Sequence, residues 1–178
     1  NVTSFSLPET ADGLKQEAIR TAEELLQAYP DSTDSIRVAA HLQSSLGNSD
    51  VATALWHRCM EVNPNYAEAY FSLGQIAISD GKFQVAAPMF AKAALLTPDD
   101  PMAPALQADA LMKSGRAQQA VAVLESHLRG RAFLDKAMLT LGQAYLQLNE
   151  LDKAKQTFEA LIRADPDDAR AYYGLARV

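Results

Sequence analysis

Five alanines recur at a fixed interval of 34 residues: Ala18, Ala52, Ala86, Ala120 and Ala154. A second row keeps the same step, with Gly13, Gly47, Gly81 and Gly115 followed by Asn149. Two small-residue rows held in phase at this period predict a helical repeat array. In such an array the core is a continuous spine shared between neighbouring repeats.

Further rows fill in the repeat. Ala40, Gly74, Ala108, Gly142 and Ala176 form a small row, and Trp56, Phe90, Leu124 and Phe158 a bulky one preceded by Ala22. Ile36, Tyr70, Pro104, Met138 and Tyr172 form another. Pro30, Pro64, Pro98 and Pro166 share a row that Ala132 completes, followed by Asp31, Asn65, Asp99 and Asp167. The small rows allow two helix backbones to approach, and the bulky row fills the wedge between them. The Gly/Asn row supplies the left-handed residue that closes a first helix. Proline ends the second helix because it cannot continue the hydrogen-bond ladder. The Asp/Asn row is then placed to cap the next helix. Each unit reads as helix, tight turn, antiparallel helix and short linker.

Tyr70, Leu73, Gly74, Ala77, Ala86, Phe90, Ala93 and Pro98 resemble the tetratricopeptide repeat (TPR) signature. Met138, Leu141, Gly142, Tyr145, Ala154, Phe158 and Pro166 resemble it again. The resemblance implies an all-α, right-handed superhelical solenoid of antiparallel helix pairs. On this reading residues 1–12 are an extended segment and 13–32 the second helix of a partial repeat. Full repeats span 33–66, 67–100, 101–134 and 135–168, and 169–178 begins a truncated one. The chain opens without Met and stops within a helical pattern, as expected for a fragment of a longer array.

Several departures from the pattern carry local expectations. Pro104 and Gln107 replace bulky residues, so the helix that holds them is expected to start late or pack loosely. Pro88 falls inside a second helix and is expected to kink it or delay its start. The linker Arg129–Phe133 lacks its proline and is the expected irregularity.

Composition and residue chemistry narrow the function. A net charge of −6 without a basic stretch argues against nucleic acid. No apolar run approaches the roughly 20 residues of a membrane span, so insertion is not expected. The single cysteine, Cys59, excludes an internal disulfide and assigns no compartment. His41, His57 and His127 lie in different repeats without ligand neighbours at helical spacing, so no metal or other cofactor is expected. The pairs Asp99–Asp100 and Asp167–Asp168 sit where helix caps belong. No nucleophile elbow or phosphate loop is present, and the chain is not expected to be an enzyme.

The resemblance implies that the first helices line a concave groove. Its rows in this chain are Asp34, Glu68, Met102, Lys136 and Arg170; Arg37, Phe71, Ala105, Leu139 and Tyr173; His41, Gln75, Asp109, Gln143 and Arg177; and Ser44, Ile78, Met112 and Leu146. The polar clamp that TPR co-chaperones use for a chaperone's terminal carboxylate is absent, since Phe71, Met102 and Ala105 stand where polar ligands belong. The apolar strip suits an amphipathic helix or extended segment. Adjacent first helices also touch at these positions, so intramolecular packing is the competing reading. The implied function is a non-catalytic scaffold that binds a protein or peptide in this groove. The alternatives are a substrate-recognition arm of a larger enzyme, or self-association through the C-terminal helix, which presents Tyr172, Leu175 and Ala176.

Overall fold

The computed structural model describes residues 10–129 and 135–178, with the backbone alone at Asp135. Ten α-helices and no strand are found among the described residues. They are α1 (Ala11–Ala28), α2 (Thr33–Ser45), α3 (Ser49–Val62), α4 (Ala67–Ser79), α5 (Phe83–Leu96), α6 (Met102–Lys113), α7 (Ala117–Leu128), α8 (Asp135–Gln147), α9 (Leu151–Ala164) and α10 (Ala169–Leu175). Two compact units are distinguished, Asn1–Ala69 and Tyr70–Val178, the division falling within α4.

The turns follow from one residue each. Gly47, Gly81 and Gly115 take φ of 80°, 71° and 77°, and Asn149 takes 60°. This left-handed geometry lets the next amide reach back five residues. Asn48 N donates to Gln43 O, Lys82 N to Ala77 O, Arg116 N to Leu111 O and Glu150 N to Tyr145 O, at 2.7–2.9 Å. The orphan carbonyls of each first helix are satisfied in this way. Gly13 is the exception in its row. It lies inside α1, which begins at Ala11 because Thr10 Oγ1 accepts from Gly13 N at 3.1 Å. Residues 11 and 12, expected to be extended, are therefore helical.

At the starts of α2, α6 and α10 the side chain that accepts from the helix amides stands one residue after the Asp/Asn row. Ser32 Oγ accepts from Ser35 N, Asp100 Oδ1 from Met102 N and Asp168 Oδ1 from Arg170 N. Within the row, Asn65 N and Asp167 N instead donate to Asn63 Oδ1 and Asp165 Oδ1, closing turns two residues long. Asp168 is buried and paired with Arg170 at 2.8 Å, which holds its carboxyl below the usual carboxylate range.

In the first unit α1 packs on α2 and α2 on α3, burying Ala22, Ile36, Ala40, Ala52, Trp56 and Cys59. In the second unit the spine runs through Ala86, Phe90, Ala108, Ala120, Leu124, Ala144, Ala154 and Phe158, each fully buried. The small row explains the close crossings. A Cβ on Gly74 would stand 2.8 Å from Phe90 Cζ, and one on Gly142 would stand 2.6 Å from Phe158 Cε1.

The two proline expectations resolve differently. α5 begins at Phe83, in step with the other second helices, and continues through Pro88, so its start is not delayed. α6 begins at Met102, one residue behind its register, with Pro104 buried in its first turn. No intrahelical donor is needed there, so the proline is tolerated. Of the expected irregular linker, residues 130–133 lie outside the described residues, as does the segment 1–9.

Candidate functional site

Five of the predicted groove residues, Asp34, Arg37, His41, Ser44 and Glu68, belong to the first unit. Arg37 Nε stands 3.6 Å from Asp34 Oδ1 on the preceding turn of α2. His41 Nε2 lies 2.7 Å from Glu68 Oε1 and packs edge-on against Trp56, with centroids 4.9 Å apart. Tyr66 donates to Glu68 Oε2 at 2.8 Å. Burial works against ionisation of Glu68, but the hydrogen bonds from His41 and Tyr66 prevail and hold its pKa down. Burial and the bond to Glu68 push the Tyr66 phenol up to about 12. Burial, reinforced by Glu68, raises the Cys59 thiol, which faces Thr33 O as a packed, un-ionised group. This cluster ties α2 to the start of α4, and its polar groups are engaged with one another.

The second unit holds the larger set. Phe71 packs edge-on against Phe90 at 5.5 Å, so part of its ring belongs to the core. Ile78, Met112, Leu139 and Leu146 are likewise half-buried against the core, while Gln75, Met102, Lys136, Gln143 and Tyr173 are exposed. Lys136 Nζ rests 3.1 Å from Met102 Sδ, one repeat away.

Five predicted residues, Arg177 among them, come together around one opening. Asp109, Met112, Gln143 and Leu146 line a cleft of about 550 Å³ with Lys113, Gln147 and Arg177. Their arrangement follows from the repeat. Asp109, Gln143 and Arg177 are successive members of one 34-residue row, Met112 and Leu146 of a second, Lys113 and Gln147 of a third. Met112 and Leu146 supply the apolar surface. Lys113 pairs with Asp109 at 2.9 Å, Gln147 Nε2 donates to Met112 O at 3.3 Å, and the Arg177 guanidinium lies 6.0 Å from the centroid of Tyr173. Lys113 and Gln147 were absent from the sequence-based candidate set. They stand one turn beyond Asp109 and Gln143, so the i,i+4 rule could have found them. Met102, Lys136, Leu139 and Tyr173 do not line this cleft.

No group of three or more metal-ligating side chains occurs among the described residues. No described helix is long and apolar enough to cross a membrane.

A family model for the tetratricopeptide repeat matches residues 37–101, 73–135 and 139–178. The chain belongs to the tetratricopeptide repeat family. With ten helices and no described strand, it is an all-α TPR solenoid. TPR arrays serve in general as protein-interaction scaffolds and are typically non-catalytic.

Solved TPR structures share the fold. MamA superposes with a TM-score of 0.77 at 19% identity, covering 89% of this chain and 93% of that one. YrrB, a TPR protein with an unusual peptide-binding site, superposes with a TM-score of 0.72 at 21% identity, covering 86% and 79%. Among curated proteins, the CTR9 homolog of Arabidopsis thaliana is 30% identical over 57 residues, 32% of this chain. The match spans only 5% of that relative's length.

Proposed function

We propose that this TPR array binds a peptide segment of a partner protein along the first helices of its second unit, centred on the cleft between α6, α8 and Arg177. The observation that carries this reading is the cleft itself. Successive repeats place an apolar pair, Met112 and Leu146, beside a polar row of Asp109, Gln143 and Arg177. An apolar floor with a few convergent polar groups is what a bound peptide requires. The peptide-binding site of the TPR protein YrrB supports the same class of ligand.

The test is selection of a random peptide library on the intact chain, with affinities then measured on a Gln143→Lys/Arg177→Glu double variant. Both positions are exposed, so the fold is retained. Selected peptides are expected to lose about tenfold or more in affinity for the variant, roughly 1.4 kcal/mol. Equal binding to both proteins would move the function elsewhere.

A second reading, self-association through α10, is favoured by the exposure of Tyr172 and Tyr173, at 49% and 69%. A single monomeric species across a sedimentation concentration series would remove it.

A further inference from the structure

The rows of the second unit show what normally fills the outer side of a helix pair. In α4–α5 the Tyr70 ring lies under the Lys92 ammonium, 5.9 Å from its centroid, and Leu73 is buried one turn along. Thirty-four residues later the same three rows hold Pro104, Ser126 and Gln107. Pro104 and Ser126 are much smaller than the residues they replace, and Gln107 puts an amide where the row otherwise carries an apolar side chain. The helices do not close the gap. Ala108, Ala120 and Leu124, on the inner side of the pair, are already fully buried and set how near α6 and α7 can come.

A cleft of about 490 Å³ remains between the end of α5, the first half of α6 and the end of α7. Ala94, Pro98, Pro104, Ala122 and Val123 give it apolar walls, while Gln107 and Ser126 bring polar groups and His127 completes the lining. It lies away from the peptide cleft described above. Gln107 and Asp109 are two residues apart on α6 and point to opposite sides of that helix.

We propose that this cleft is a second binding site, one that takes the neutral aromatic side chain of a tyrosine from a partner protein. Three observations point to that occupant. The array itself carries a tyrosine, Tyr70, at the row position that Pro104 takes here, with its ring beneath the Lys92 ammonium. The lining contains no Asp, Glu, Lys or Arg, so it matches a neutral group and offers no counter-charge to an ionic one. The amide of Gln107 and the hydroxyl of Ser126 can each bond a phenol.

The probe is N-acetyl-tyrosinamide, titrated into the intact, isotope-labelled chain and followed by amide chemical shifts. Saturable shifts centred on Ala94, Gln107, Val123 and Ser126 are expected, with a Kd on the order of millimolar for so small a ligand. Pro104→Tyr/Gln107→Leu restores the residues of the preceding repeat and is expected to abolish binding. Ser126→Lys, at an exposed helix position, reproduces the lysine cover of the preceding repeat and is expected to weaken binding even if the double variant does not fold. Absence of saturable shifts at these residues, or unchanged affinity in the folded variants, overturns the site. Equally tight binding of N-acetyl-phenylalaninamide overturns its assignment to tyrosine.

Discussion

Gly74 and Phe90 show how closely this array is specified at single positions. The ring of Phe90 occupies the volume that a Cβ on Gly74 would need, with 2.8 Å between them. One repeat on, the corresponding pair is Ala108 and Leu124, both fully buried. Gly74→Ala is therefore expected to destabilise the fold by roughly 1–3 kcal/mol through overpacking. Adding Phe90→Leu should recover part of that loss, since it recreates the pairing of the next repeat. Denaturant unfolding of the four proteins of the cycle measures the coupling, and strictly additive effects would break the argument. The acid cluster of the first unit makes a separate prediction. Glu68 has a depressed pKa in the fold, so its contribution is present above the unfolded value of about 4.3 and is lost as pH falls through the folded value. The gap in Tm between wild type and Glu68→Gln is expected to narrow below that pH. A gap constant from pH 7 to pH 3 would count against the His41–Glu68–Tyr66 arrangement.

Single helices respond to the same rows in different ways. Proline is tolerated in the first turn of α6 because no intrahelical amide is needed there, whereas Pro88 in α5 leaves the Gln84 carbonyl without its donor. Packing of Ala86, Ala87, Phe90 and Ala93 holds α5 continuous despite that loss. Pro88→Ala is accordingly expected to raise stability by roughly 1–3 kcal/mol, seen as an increase in Tm. No gain would mean that Pro88 makes packing contacts equal to the missing hydrogen bond. Helix termini were only partly legible beforehand. The left-handed turn residues were readable because Gly and Asn are the residues that tolerate positive φ. The capping residue was misplaced by one, because two adjacent polar residues at 99–100 and 167–168 satisfy the same composition rule, and backbone geometry selects between them.

Within each unit neighbouring helices pack on one another, so damage should stay local. Gly142→Ala, which would set a Cβ 2.6 Å from Phe158, is expected to accelerate amide exchange in α8 and α9 while leaving α2 and α3 protected. Uniform loss of protection in both units would show a more cooperative fold than nearest-neighbour packing provides.

The 34-residue rows by themselves determined the all-α repeat architecture, because helix crossings and tight turns accept few residue types. They also determined which residues share a face, since a row repeats the same helical position. Which members of a row become surface and which become core was decided only in three dimensions. Leu139 and Phe71 share a row with the exposed Tyr173, yet both are partly drawn into the core. The two clefts were also decided there, because an opening depends on how nearly the flanking helices can close around a small side chain. That limit is set by the residues on the far side of each helix, which a single row does not contain.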